Sequence, residues 1–153
     1  MGYDILNACD DSHRSQVLPF YIRQVLELVF YRYSTTAKIR KMSCFHLQIL
    51  RQKPYRDVRI FNGENLLMYA RTKAAKETQL ALKGIYSFQK KLPIGDFLFH
   101  CSDVKRGEVR LTLSLQAPKW LQKYEQNARL FWIRRTYWYY QGVYPIELQE
   151  IFL

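Results

Sequence analysis

The stretch from Leu130 to Leu153 constrains the fold most, because it reads as a β-hairpin. Aromatic and β-branched residues lie on both sides of a turn at Gln141-Gly142, which is typical of two antiparallel strands. Alternate residues of a strand share one face, so Glu150 is predicted to lie on an otherwise apolar face. Its companions on that face are Ile146, Leu148 and Phe152. A carboxylate placed there must be partnered or neutralised, and groups in such places often perform chemistry.

The length and composition predict one folded domain. The chain has 153 residues, of which 48% are hydrophobic, enough for a proper core and too apolar for a disordered chain. No apolar run approaches the roughly 20 residues that span a bilayer. The first residues also lack the basic and apolar pattern of a targeting peptide. We expect residues 1–16 to be loosely ordered and residues 17–153 to form a single domain.

The charge of the chain predicts an anionic partner without choosing one. Lys and Arg number 24 against 13 acidic residues, a net charge of +11, which attracts nucleic acid, an acidic membrane or a small polyanion. The basic residues are dispersed and form no run of five or six like charges. The three cysteines are widely spaced, which favours free thiols. No phosphate loop, metal-ligand spacing or nucleophile elbow is present, so neither a metal nor a nucleophilic mechanism is predicted.

The order of periodic segments predicts an α+β fold. Helical spacing begins at Leu18, and the segments that follow it alternate or turn in a consistent order. They are a short helix to about residue 42, three strands within 45–72, a helix over 76–91, a helical turn at 96–100, a strand at 109–115, a polar surface connection at 116–128 and the terminal hairpin. Hairpin connections dominate, so we expect a single, mostly antiparallel sheet of about six strands with helices on one face.

Arg56 is the second residue that stands out on physical grounds. It shares its strand parity with Val58 and Ile60, which places a guanidinium on the apolar side of the strand. An inward guanidinium binds a carboxylate, and the planar fork can hold it with two hydrogen bonds. Arg56 and Glu150 could therefore hold a ligand. They could equally pair with each other, or with neighbouring residues, as structural ion pairs.

The aromatic run Tyr137–Tyr140 has two interpretations. Beside Arg134 and Arg135, these rings could stack the bases of single-stranded RNA. In that case Tyr and Trp rings should be exposed next to both arginines. The interpretation that we favour is aromatic packing on the two faces of a sheet.

Five short motifs, in order, resemble the chorismate–pyruvate lyase family, including the small plastid-encoded relatives of red algae. They span roughly residues 17–153. The motifs are Ser34-Thr35-Thr36; Arg56-Asp57-Val58; Gly63-Glu64 with Ala70-Arg71-Thr72; Leu92-Pro93-Ile94-Gly95 followed by Phe97-Leu98-Phe99; and Glu150-Ile151-Phe152-Leu153.

The resemblance implies a fold, a reaction and a set of site residues. The family fold is an antiparallel sheet with helical flaps over an internal pocket. The reaction removes the enolpyruvyl group of chorismate and releases 4-hydroxybenzoate and pyruvate, with no cofactor. By the same resemblance, Arg56 grips the ring carboxylate, and Glu150 acts as an acid or hydrogen-bond partner near the ring oxygens. Ile94 closes the pocket, and Thr35 contributes to substrate binding.

The resemblance also sets expectations about partners and location. We expect a small anionic substrate, no nucleic acid and a monomer. The location would be the plastid stroma for the algal branch and the cytoplasm for a bacterial protein. A non-catalytic sensor domain of the same fold is the alternative function, and RNA binding is the third. A lyase or a sensor predicts Arg56 and Glu150 on one enclosed cavity.

Overall fold

The computed structural model describes residues 41, 44–87 and 93–153. They form six strands and two short helices. The strands are β1 (Phe45–Arg51), β2 (Arg56–Asn62), β3 (Asn65–Ala74), β4 (Val104–Ser114), β5 (Phe131–Tyr140) and β6 (Tyr144–Phe152), and the helices are α1 (Lys76–Ala81) and α2 (Ile94–His100). The predicted N-terminal segment, the helix from Leu18 and Thr35 lie outside the described residues. No helix in these ranges has the length and apolar character needed to cross a membrane.

The strands form a single antiparallel sheet in the order β1-β2-β3-β6-β5-β4, which confirms the predicted sheet. Two tight connections set its register. Gly63, with a φ of 60°, links β2 to β3, a conformation that glycine adopts without strain. Gln141 and Gly142 have φ values of 50° and 72°, and the hairpin closes with Tyr140 opposite Tyr144. The predicted terminal hairpin is therefore present.

The two faces of the sheet bury different clusters. We call the face that carries Val58, Ala70 and Leu148 the cavity face, and α1 and α2 lie on this side. Its buried cluster also includes Leu47, Ile60, Met68, Leu82, Ile94, Leu98, Trp138, Tyr140, Ile146 and Phe152. The other side, which we call the opposite face, buries Tyr69, Ala117, Leu121, Phe131, Ile133 and Ile151. Both faces are thus covered, each by a different part of the chain.

The polarity of residues 116–128 predicted a connection on the surface. In the structure the segment also packs against the opposite face of the sheet. Leu121 is fully buried in the cluster of the opposite face. Trp120 Nε1 donates a hydrogen bond to Gln149 Oε1 at 2.8 Å, and Tyr69 donates its hydroxyl to Glu125 at 2.9 Å. The segment covers this face with a few large side chains. The residues that pack on this face, Ala117, Trp120, Leu121 and Tyr124, follow the i, i+3, i+4, i+7 spacing of a helical face, a signal that we passed over because the segment is polar.

The predicted helix over 76–91 is shorter in the structure, since α1 ends at Ala81. The sequence also predicts a buried stripe at Leu80, Leu82, Ile85 and Phe88 of this helix, of which Phe88 lies outside the described residues and the rest is only partly right. Leu82 is fully buried, but Leu80 is 60% exposed and Ile85 is 53% exposed. Gly84 follows with a φ of 90°, so the chain leaves the helical period and turns instead. Beyond the turn, Tyr86 is the residue that packs into the core of the cavity face.

Candidate functional site

A small cavity of about 20 Å³ lies between the cavity face and the start of α2. Strands β1, β2, β3 and β6 form its floor, and Pro93–Gly95 forms its roof. Three of the residues singled out from the sequence, Arg56, Ile94 and Glu150, line this cavity. The other lining residues are Leu47, Val58, Ile60, Met68, Ala70, Thr72, Pro93, Gly95 and Leu148. The walls are therefore apolar except for Thr72 and the two charged groups.

The pairing of the strands sets the distance between the two charges. Strand β3 lies between β2 and β6, with Ala70 opposite both Val58 and Glu150. Arg56 is two strands and two residues away from Glu150, which separates their Cα atoms by roughly 12 Å at ordinary strand spacing. The β3 residues on this face between them are Ala70 and Thr72. Their short side chains leave room above the sheet between a guanidinium at one end and a carboxylate at the other.

Arg56 lies at one end of the cavity with only 3% of its surface exposed. Burial lowers the pKa of Arg56, and the Tyr86 hydroxyl partly offsets this effect. Burial raises the pKa of Tyr86 to about 12, while the positive charge of Arg56 acts in the other direction. The Tyr86 ring also stacks on Phe97 of α2, with centroids 5.2 Å apart. Tyr86 therefore joins the buried guanidinium to the helix that roofs the cavity.

Glu150 lies at the other end and is paired with Arg134, which directly faces it on β5. Arg134 Nε donates a hydrogen bond to Glu150 Oε2 at 2.7 Å, and both side chains are buried. The Arg134 guanidinium lies 5.2 Å from the centroid of the Phe152 ring. Of the alternatives left open by the sequence, pairing with a neighbouring residue is thus the one observed for Glu150.

Arg134 is a residue of the site that sequence reasoning missed, because we grouped it with the aromatic run as an RNA-binding residue. The signal was nevertheless present in the hairpin. Tyr140 and Tyr144 face each other at the end of the hairpin loop. Arg134 lies six residues before Tyr140, and Glu150 lies six residues after Tyr144, so these two residues also face each other. Counting back from the turn therefore predicts this cross-strand pair.

Arg106 on β4 is a further cation on the cavity face, beyond Arg134 as seen from Glu150. Its guanidinium lies 5.5 Å from the Phe99 ring centroid and 5.7 Å from that of Trp138. Burial lowers the pKa of Arg106, the positive charge of Arg134 lowers it further, and Glu150 opposes both effects. Cationic groups thus lie beyond Glu150 as well as at the Arg56 end of the cavity.

The aromatic run does not form the surface that RNA binding requires. Trp138 and Tyr140 are buried on the cavity face, and so is Arg134. Tyr139 is exposed, as is Arg135. Because the strand alternates, the residues of this run divide between two faces. They do not present neighbouring Tyr and Trp rings beside both arginines.

No protein-family model matches the chain, and a search of curated proteins also finds no match. A functional assignment therefore depends on the chemistry of the cavity. A buried guanidinium can bind a carboxylate with charge-assisted hydrogen bonds. A second, Arg-bound carboxylate across a short apolar floor can accept a hydrogen bond or a proton. This arrangement suits a small, flat anion that carries an acid at one end and oxygens at the other.

Proposed function

We propose that the protein is a chorismate–pyruvate lyase that forms 4-hydroxybenzoate and pyruvate without a cofactor. The observation that carries this proposal is the convergence of Arg56, Ile94 and Glu150 on one cavity. These three residues come from distant parts of the chain. The resemblance to the family gives each of them a role in the substrate site. The antiparallel sheet under the cavity also agrees with the family fold.

In the proposed reaction, the ring of chorismate becomes aromatic. The bond from the ring to the ether oxygen breaks, a ring C–H bond gives up its proton, and the released enolpyruvate takes up a proton to become pyruvate. Atoms and charges balance without an oxidant, because the electrons of the C–H bond enter the ring as the C–O pair departs. Much of the driving force is internal to the substrate. The protein has to hold a dianion, exclude water and assist proton movement.

Arg56 holds the ring carboxylate in this proposal. An incoming carboxylate offsets the burial that lowers the pKa of Arg56, since an opposite charge stabilises the charged form. The carboxylate of the enolpyruvyl group would then lie at the far end of the cavity, toward the positive charges of Arg134 and Arg106. A dianion thus meets cationic groups at both ends of the site.

Glu150 acts on the ring oxygens or on the departing proton. Arg134 donates its hydrogen bond to a carboxylate oxygen of Glu150, so Glu150 is the acceptor in that contact. We give it the same role toward the ligand, as acceptor of the ring proton or of a hydroxyl hydrogen bond. Arg134 is then a positioning residue, because it holds the carboxylate without lining the cavity.

Ile94 closes the site in this proposal. A cavity of about 20 Å³ has room for about one water molecule, whereas ligand pockets typically measure about 300–1,000 Å³. Binding therefore requires the roof at Pro93–Gly95 to move away and return over the ligand. A closed apolar roof would exclude water from the elimination.

The test is incubation of the purified protein with chorismate, with 4-hydroxybenzoate followed by chromatography and pyruvate by a coupled reduction. We expect both products in equal amounts. Glu150→Gln should lower kcat by about 10²–10⁴-fold. The matched control is Asp57→Asn, the same change in a buried ion pair of the opposite face, which should retain kcat per folded molecule when circular dichroism is used to measure the folded fraction. Turnover by Glu150→Gln at the parent rate would show that the role given to Glu150 is wrong.

Ligand binding without turnover is the second candidate, and the Arg134–Glu150 hydrogen bond favours it. A carboxylate held in an ion pair need not take part in a reaction, because it can form one polar wall of a binding pocket. In that case 4-hydroxybenzoate or chorismate would bind, Arg56→Ala would weaken binding, and no pyruvate would form even at high protein concentration. Titration calorimetry alongside the product assay separates the two functions.

A further inference from the structure

Strand β4 is an edge of the sheet with one half protected and one half open. Among the described strands it pairs only with β5. Its first half carries Lys105, Arg106 and Glu108, and its register with β5 shifts between Arg106 and Val109. Charges and bulges are features by which proteins prevent strands from pairing at an edge. The half from Val109 onward follows regular pairing to Ser114, has no bulge and carries one charged residue, Arg110.

The open half presents an apolar stripe. Three residues that face the same side as the cavity, Val109, Leu111 and Leu113, are 43%, 36% and 40% exposed. Leu115, which continues the alternation just past the strand, is 72% exposed. Arg110 is the only charged residue from 109 to 115. A regular edge with exposed apolar side chains and one charge is a template for another strand.

We propose that this edge pairs with β4 of a second copy, in an antiparallel arrangement about a two-fold axis at Thr112. The sequence of the half-strand is complementary to itself in this register. Val109 lies opposite Leu115 of the partner copy, and Leu111 lies opposite Leu113. The polar pairs are Thr112 with itself and Arg110 with Ser114.

Two neighbouring registers are worse for identifiable reasons, and axes at Leu111 or Leu113 pair fewer residues of the half-strand. A shift by one residue places Leu111 opposite Thr112, so that the apolar stripes of the two copies lie on different faces. An axis at Arg110 places two guanidinium groups directly opposite each other, which is destabilising. The axis at Thr112 avoids both problems and uses the whole half-strand from Val109 to Leu115.

The charge of the chain predicts how this pairing depends on salt. Two copies, each carrying +11, repel one another at long range, while the contact itself is nearly uncharged. Added salt screens the repulsion and leaves the backbone and apolar contacts in place. The contact involves one short strand from each copy, at the small end of specific interfaces. We therefore expect a dimer that depends on concentration and strengthens with salt, in place of the monomer expected from the sequence.

Sedimentation velocity across a concentration series tests the proposal. The parent protein should show a monomer–dimer equilibrium, and Leu113→Lys should weaken it by at least about tenfold, since two buried like charges would approach each other. Leu80→Lys is the matched control, because Leu80 is an exposed leucine on α1 and the change in charge is the same. It should retain the dimer. Circular dichroism should show that both variants are folded.

Cross-linking tests the register in a background with Cys9, Cys44 and Cys101 replaced by serine. Thr112→Cys should form a disulfide-linked dimer on mild oxidation, whereas Arg110→Cys should not, because its counterpart is Ser114. A parent protein that is monomeric at every concentration and salt would overturn the proposal. Equal weakening by Leu113→Lys and Leu80→Lys would overturn it too, as would efficient cross-linking of both cysteine variants. None of these measurements depends on whether chorismate is turned over.

Discussion

Two buried ion pairs of the same chemistry lie on opposite faces of the sheet, and their surroundings differ. On the opposite face, Asp57 accepts two hydrogen bonds from Arg71, at 2.7 and 2.9 Å. On the cavity face, Glu150 accepts one from Arg134 at 2.7 Å. Both pairs join residues directly opposite each other on neighbouring strands. Pairing across strands therefore does not by itself distinguish a structural group from a functional one.

The difference lies in what covers each pair. The Arg71 guanidinium lies 4.5 Å from the centroid of the Trp120 ring and 5.2 Å from that of Tyr55, so aromatic side chains surround it. Glu150 instead borders a cavity roofed by α2. The aromatic rings and the two hydrogen bonds leave the Asp57–Arg71 pair a structural role. Glu150 borders a cavity, so a ligand in that cavity can reach it.

The largest expected effect distinguishes the two pairs by stability. Asp57→Asn should lower the free energy of unfolding by about 3–5 kcal/mol, because it leaves a buried guanidinium without its counter-charge. Glu150→Gln also removes a counter-charge but should cost less, about 1–3 kcal/mol, because its amide oxygen can still accept the Arg134 hydrogen bond, whereas the amide of Asp57→Asn cannot accept both of the hydrogen bonds that Arg71 donates. Chemical denaturation of both variants measures the difference. Equal losses would show that the two pairs have the same structural role.

The next effect distinguishes the two buried arginines by ligand affinity. Arg56→Ala should weaken binding of 4-hydroxybenzoate by about 1.5–3 kcal/mol, which corresponds to a roughly 10- to 150-fold higher Kd. Arg71→Ala should destabilise the fold but leave the Kd of the folded protein unchanged. Titration calorimetry well below the unfolding temperature measures both. An unchanged Kd for Arg56→Ala would contradict the assignment of the site.

The smallest effect concerns two buried tyrosines, one on each side of the sheet. Burial raises the pKa of Tyr69 and of Tyr86 to about 12, from an ordinary value of 10.0. The unfolded chain therefore loses these protons first as the pH rises. The stability associated with each group is fully present below pH 10 and is lost as the pH rises toward about 12.

Replacing either tyrosine by phenylalanine should make the loss of stability above pH 10 shallower. Only Tyr86→Phe should also alter ligand binding, since Tyr86 lies near Arg56 and its ring stacks on Phe97 of the helix that roofs the cavity. Urea denaturation between pH 8 and about pH 11, with an anion titration at neutral pH, measures the two effects. A Tyr69→Phe variant that changed ligand affinity as much as Tyr86→Phe would remove the distinction between the faces.

Local patterns predicted the strands well and the covering segments poorly. Alternation of apolar and polar residues placed Arg56 and Glu150 on the buried side, where the structure has them. The segment 116–128 that covers the opposite face does carry Ala117, Trp120, Leu121 and Tyr124 at helical spacing, but this pattern is only two turns long and lies among polar residues. The predicted length of α1 was also wrong. The helix ends at Ala81 and the chain turns at Gly84, although Leu82 and Tyr86 on either side of the turn both pack into the core.

The sequence by itself determined which side chains share a face, because a strand repeats every two residues and the chain carries that repeat locally. It also determined that Arg134 faces Glu150, because the length of the hairpin loop fixes which residues of the two strands lie opposite each other. Only the tertiary structure decided that β3 lies between β2 and β6, and hence that Arg56 and Glu150 border one cavity. Strand order depends on contacts between residues far apart in the chain and on what each face must bury. No local pattern of residues specifies either.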